Sequence, residues 1–265
     1  MKKRLNRTAR LATLLHLLFF SVLFSGCGRQ RETITSLDQL AEATFAVPTG
    51  TVADQLVISR FPDARFQYFN SVLDACMAVR AGRVDAAAYD EPILRNIAAK
   101  VSGLKVLDGM ITVDEYGFAV RLEEQALKEA MDAVLQELRD SGAYDEMLAR
   151  WLPAQGEPAP MPAFAPVESE EELRFGTSAV TEPFSFVDGS REVVGLDIEL
   201  AHHIARRLGK KLVVVNMDFG GLIPALASGR VDMIGACITI TEERAQRVLF
   251  SESYYKGGIA AMVKE

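Results

Sequence analysis

Three short stretches of this 265-residue chain carry side chains able to hold a small charged molecule. Arg244 follows Thr241, a residue type suited to an N-cap, so it falls in the first turn of a helix. The helix dipole opposes a cation there by roughly 0.3–1 kcal/mol. Two readings fit: a surface arginine paired with Glu242 or Glu243, or an arginine held at a strand's C-terminal end to meet a carboxylate. Asp90 closes the apolar run Val84–Tyr89, ahead of Pro92 at a favoured first helical position. Its carboxylate can cap the helix, face a cleft, or do both with separate oxygens. Pro48-Thr-Gly50 is a tight loop feeding a helix, and Thr51-Val-Ala-Asp54 has capping-box spacing for a helix running to Arg60. The N–H groups at such a start form a natural anion seat.

Metal and phosphate chemistry find less support. His202 and His203 are adjacent on a helical stretch, so they point about 100° apart and make a poor metal pair. No zinc-like cysteine spacing and no Walker loop is present, and Gly220-Gly221 reads as a turn. No cofactor is expected.

The elements that must position Arg244 and Asp90 share one design. Ala78-Val-Arg-Ala-Gly-Arg-Val-Asp-Ala-Ala87 and Ala225-Leu-Ala-Ser-Gly-Arg-Val-Asp-Met-Ile234 both read as a helix, a capping glycine and a buried strand. This internal echo predicts two α/β lobes of related build, each a small open sheet flanked by helices. Further strands are predicted at Thr44–Val47, Tyr116–Val120 and Gly258–Val263, and helices over Val72–Arg80 and, broken at Ser141-Gly142, over Glu124–Trp151.

Five linked motifs extend the reading. Gly176-Thr-Ser-Ala-Val-Thr-Glu-Pro-Phe184, Val194-Gly-Leu-Asp-Ile-Glu-Leu-Ala201, Asp218-Phe-Gly-Gly-Leu-Ile-Pro-Ala-Leu226, Ile238-Thr-Ile-Thr-Glu-Glu-Arg244 and Phe250-Ser-Glu-Ser-Tyr-Tyr255 follow in order. Together they resemble the first lobe of a bacterial extracellular solute-binding protein of the polar amino-acid type. The resemblance implies a two-lobed type II periplasmic-binding-protein-like α/β fold with a cleft between the lobes, and capture of an amino acid for the membrane permease of an ABC importer. Carried over, Arg244 and Thr239 hold the ligand's carboxylate, assisted by Thr49, Gly50 and Thr51 of the other lobe. Asp90 takes its ammonium and Phe219 lies against its side chain. Thr181 stands where the family often has an aromatic, Ser178 where binders of basic amino acids carry an acid, and Cys237 at the pocket wall where Gly or Ser is usual. Tyr89 either lines the pocket or packs. The same resemblance admits an enzyme, a cyclohexadienyl dehydratase using Glu182 or Glu91 as acid, and a sensor for a partner protein.

The order of the pieces is unusual, because the first-lobe motifs come last. The expected layout is a lipoprotein signal peptide over residues 1–26, a tether at 27–33 and the second lobe at 34–117. A return strand and C-terminal helices over 118–153 pack on the first lobe. A proline-rich linker at 154–172 precedes the first lobe at 173–265. Circular permutation within one chain accounts for this order, and exchange of halves between two chains is the competitor. The linker is expected as a semi-rigid spacer reaching up to about 50 Å.

Lys2, Lys3, Arg4, Arg7 and Arg10 precede an apolar run from Leu11 to Phe24, and Phe24-Ser-Gly-Cys27 resembles a lipobox. Lipidation of Cys27 would anchor the protein to a membrane in the periplasm or at the cell exterior. A cleaved signal with an incidental cysteine is the plainer alternative. Loss of residues 1–26 removes five positive charges and takes the formal charge from −7 to −12, which argues against a nucleic-acid partner. Cys76 and Cys237, each in an apolar run, are expected as buried free thiols.

Overall fold

The computed structural model describes residues 33–153 and 158–265. The signal segment and Cys27 lie outside the described residues. From Ile34 onward the chain forms two five-stranded sheets, each flanked by helices.

The first sheet is laid down by β1 (Thr44–Pro48), α1 (Ala53–Arg60), β2 (Arg65–Phe69), α2 (Val72–Arg80), β3 (Ala86–Asp90), α3 (Glu91–Lys100) and β4 (Leu104–Val106). Strands β2, β1 and β3 run parallel, with Phe45 beside both Phe66 and Ala86. Phe45, Ala46 and Val47 are all buried, as a parallel strand covered on both faces requires. Helix α2 has the predicted bounds because both ends are chemically marked. Ser71 Oγ accepts from Asp74 N at 3.1 Å, and Gly82 follows the helix with φ +70°.

The chain leaves this lobe through β5 (Asp114–Tyr116) and enters the other through β6 (Ala119–Val120). The single strand predicted over 116–120 is therefore two, divided where the chain changes sheets at Gly117-Phe118. Helices α4 (Gln125–Asp140) and α5 (Ala143–Trp151) follow, separated at Ser141-Gly142 as predicted, with Gly142 left-handed at φ +79°. The second lobe then adds β7 (Glu172–Thr177), β8 (Val180–Thr181), β9 (Ser185–Val187), β10 (Val193–Val194), α6 (Leu196–Arg207), β11 (Lys211–Asn216), α7 (Leu222–Ala227), β12 (Met233–Ile234), α8 (Glu242–Ala245) and β13 (Leu249–Phe250). Its main sheet has the order β11-β7-β12-β6-β13, the first three parallel and the last two pairings antiparallel. Helices α4 and α5 pack on α6, where Trp151 Nε1 donates to buried Glu199 at 2.5 Å.

The chain returns through β14 (Tyr255–Gly257) and ends in β15 (Ile259–Lys264). β15 is inserted between β3 and β4, giving the order β2-β1-β3-β15-β4, with Ile259 opposite Asp90. Each sheet thus receives one central antiparallel strand from across the interlobe crossing. The two crossings pair with each other, Tyr116 opposite Tyr255, as an antiparallel ribbon. Gly258 sits at its end because a Cβ there would lie 2.0 Å from the Thr112 carbonyl oxygen.

The proline-rich stretch, expected as a semi-rigid spacer, makes contacts along its described length. Its described residues lie along α6: Phe164 stacks on His202 with ring centroids 4.4 Å apart and meets His203 edge-on at 5.3 Å. Arg206 Nη1 donates to the Ala165 carbonyl at 3.3 Å. The two histidines are packing residues for this strap. Among the described residues, no group of three His, Cys, Asp or Glu is placed to hold a metal, and no helix is long and apolar enough to cross a membrane.

Candidate functional site

Arg244 is buried although it is a charged residue in a four-residue helix. Thr241 caps α8 by accepting from Arg244 N at 3.2 Å, which aims the side chain back toward the preceding segment. There Nη1 donates to the Thr239 carbonyl at 3.0 Å, and the guanidinium lies 5.5 Å from the Phe219 ring centroid. Among the described residues no carboxylate forms a salt bridge with it, so the reading as a surface arginine paired with Glu242 or Glu243 does not hold. Burial lowers its pKa, opposed by the nearby Tyr89, Asp90 and Glu243.

Asp90 ends β3 and is also buried. It stands at the N-cap position of α3 without a side-chain capping bond; its Oδ1 instead accepts a hydrogen bond from the Tyr116 hydroxyl. Loss of hydration pushes its carboxyl up to about 7, against the pull of the Tyr116 hydrogen bond and of Arg244. Arg244, from one lobe, and Asp90, from the other, line the same deep recess of about 10 Å³ together with Tyr89, Thr239 and Cys237. This opens past Thr51, Val52 and Phe219 into a cavity of about 260 Å³. The question left open for Tyr89 is answered: it lines the recess.

The loop at Thr49–Thr51 closes the cavity from the first sheet's side. Gly50 is left-handed at φ +80°, and a Cβ on it would stand 3.1 Å from Gly220 Cα across the cleft. The capping box expected at Thr51 and Asp54 is absent. Val52 is the N-cap, Thr51 Oγ1 donates to the Pro48 carbonyl at 2.9 Å, and Asp54 instead accepts from Tyr68 Oη at 2.9 Å. The turn closed by Thr51 is the local device that starts the helix. Gly50, Thr51 and Val52 all line the cavity.

Of the ten ligand-site residues named from sequence, Arg244, Thr239, Asp90, Phe219, Gly50, Thr51 and Cys237 come together around these cavities. Thr49, Ser178 and Thr181 do not line them. Thr49 donates through both N and Oγ1 to the Phe69 carbonyl, which fixes the β1–β2 edge. Thr181 Oγ1 donates to the Ser178 carbonyl at 3.2 Å and lies behind the Cys237 thiol. Cys76 and Cys237 are buried free thiols as expected, and burial pushes both thiol pKa values up. Cys237 has φ +53°, and its N–H donates to buried Asp197 at 3.2 Å. Sequence reasoning missed Val52, Gln55 and Arg247 in the lining and Tyr116 beneath Asp90. Tyr116 was visible only as a strand residue, because its reach to Asp90 depends on how two distant strands meet.

With this geometry in view, the comparisons with known proteins agree on the class. Residues 173–265 match the bacterial extracellular solute-binding proteins, family 3, and the two lobes with their cleft have the type II periplasmic-binding-protein fold. Over that segment the chain is similar to this family of extracellular proteins. A probable histidine-binding protein of Campylobacter jejuni is 42% identical over 83 residues, 31% of this chain and 32% of its own length. The arginine-binding extracellular protein ArtP of Bacillus subtilis is 42% identical over 86 residues, 32% of this chain and 33% of its own length. The chain thus spans about a third of the curated relatives it matches. The arginine-bound domain 1 from TmArgBP is 42% identical, aligned over 39% of this chain and 87% of its own, with a TM-score of 0.33.

Proposed function

We propose that this protein captures a polar amino acid, or a similar small zwitterion, in the interlobe cleft and delivers it to the permease of an ABC importer. One observation carries the reading: a buried cation and a buried acid line one recess from opposite lobes, and among the described residues neither forms a salt bridge. Holding such groups unpaired costs several kcal/mol each. A zwitterion returns a partner to both, its carboxylate on Arg244 with the N–H groups at Gly50–Val52, its ammonium on Asp90. Those contacts are charge-assisted and span both lobes, so ligand favours the closed form. Relatives named for binding arginine or histidine support the ligand class. The dehydratase alternative is not proposed: Glu182 pairs with Lys100 at 2.6 Å and Glu91 with Arg95, and neither acid lines the cavity.

The same reading makes Cys27 the lipidated anchor of a periplasmic or extracellular protein. It also makes the chain order a circular permutation, with residues 173–265 placed after the segment that completes the other sheet.

Thermal unfolding of the mature protein against single amino acids tests the function. A ligand at a hundred times its Kd adds about 2.7 kcal/mol of stability. We expect a shift with at least one amino acid, abolished in Arg244→Ala and in Asp90→Asn. No shift with any of them overturns the zwitterion reading.

A further inference from the structure

The ribbon where the chain crosses between lobes lies against the proposed ammonium site, and one residue belongs to both. Tyr116 is fully buried in β5. Its backbone accepts from Tyr254 N at 2.9 Å and pairs across to Thr239, whose carbonyl accepts from Arg244. Gly117 N donates to the Ile238 carbonyl at 3.1 Å and Ile240 N to the Glu115 carbonyl at 2.8 Å, so the segment carrying Thr239 is laced to this strand on both sides. The Tyr116 ring stacks on Tyr255 of the second crossing, 5.7 Å between centroids, and meets Phe184 edge-on at 6.1 Å. Gly257 leaves room for it, since a Cβ there would stand 2.7 Å from the phenol oxygen. A ring held on three sides has a fixed hydroxyl, and that hydroxyl donates to Asp90.

We propose that Tyr116 is a positioning residue for the ligand's ammonium: its hydroxyl engages Asp90 Oδ1, keeps the carboxylate charged, and leaves the other oxygen to accept from the ligand. The inference rests on the reading of Asp90 as the ammonium acceptor. Several groups face Asp90. Tyr89 lies on its own strand, Asp114 and Tyr116 on β5, Tyr255 on β14, Cys237 in the loop before α8, and Arg244 on α8. Asp114 disfavours the charged carboxylate and Arg244 favours it, while Tyr116 alone among these side chains hydrogen-bonds to it. A donor to the ionised form stabilises that form, so its removal moves protonation of Asp90 to higher pH. Ligand binding, which needs the ionised form, is then lost earlier as the solution is acidified.

The test is calorimetric binding of the cognate amino acid to wild type, Tyr116→Phe and Asp90→Asn at pH 6 and pH 8.5, with carbon NMR titration of the Asp90 carboxyl in ligand-free protein. Phenylalanine keeps the ring packing. We expect Tyr116→Phe to bind about tenfold more weakly than wild type at pH 6 and within about threefold at pH 8.5, the consequence of a shift of about one pH unit. The NMR midpoint should rise by the same amount, a readout that needs no ligand. An equal loss at both pH values, or an unmoved midpoint, overturns the role of Tyr116 and leaves the ammonium reading standing. Wild-type affinity in Asp90→Asn overturns both.

Discussion

At the scale of single residues, the site is built from charges that the fold holds at a cost. The Asp90 and Asp197 carboxyls are each pushed up to about 7 by loss of hydration. Between about pH 4, where an unfolded carboxyl ionises, and pH 7, the native protein therefore binds more protons than the unfolded chain. Stability from these two groups falls as pH rises through that window, and the penalty is complete above it. Replacing Asp90 by Asn keeps an acceptor for Tyr116 and removes the buried charge. We expect Asp90→Asn to raise the stability of the ligand-free protein by about 1–3 kcal/mol at pH 8, with much less effect at pH 4.5, while abolishing the amino-acid-induced shift. Thermal unfolding at both pH values checks this, and a lower melting temperature at pH 8 would refute it. Arg244 is the counterpart: Arg244→Lys keeps a charge but loses the planar fork, and should weaken binding at least tenfold. Calorimetry decides, and unchanged affinity removes Arg244 from the carboxylate site.

At the scale of elements, closure depends on how near the two lobes' loops come. Gly50 is left-handed and would place a Cβ 3.1 Å from Gly220 Cα, whereas a Cβ on Gly220 meets nothing closer than 3.9 Å. Gly50→Ala combines backbone strain of about 1–2 kcal/mol with obstruction of the cleft, so ligand affinity should fall about tenfold or more. Gly220→Ala should bind within about threefold of wild type. Equal behaviour of the two variants would count against a closure contact at this point. Legibility at this scale followed local chemistry. Helix Val72–Arg80 was readable to its ends because Ser71 and Gly82 mark them. The strand over 116–120 was not, since the apolar run continues while its hydrogen-bond partners change from Tyr255 to Met233. The capping box was misread at Thr51 because the loop, turned by its hydroxyl onto Pro48, leaves Val52 as the cap.

At the scale of the molecule, each sheet is completed by a strand from beyond the crossing, β15 in one and β6 in the other. Closing both within one chain predicts a folded monomer at dilute concentration. Sedimentation velocity that finds only dimer, with no folded monomer, would favour exchange of halves over permutation. Ligand should also reduce the radius of gyration in solution scattering for wild type and not for Arg244→Ala, because closure needs a ligand bonded to both lobes.

What the sequence determined by itself was the pair of helix–glycine–strand units, the two-lobed class, and seven of the residues that meet at the cleft. Those follow from local rules of capping and periodicity and from linked motifs, whose spacing along the chain is meaningful. Only the tertiary structure decided that Arg244 is buried with no salt bridge to a described carboxylate, and that Thr49, Ser178 and Thr181 are not among the residues lining the two cavities. It alone joined the Tyr116 hydroxyl to Asp90, 26 positions away. It also laid the proline-rich stretch along α6 through Phe164, a contact that a composition reading of a semi-rigid spacer does not contain. The reason is common to all four. Each depends on the approach of surfaces distant in sequence, and neither residue type nor spacing records where two such surfaces meet.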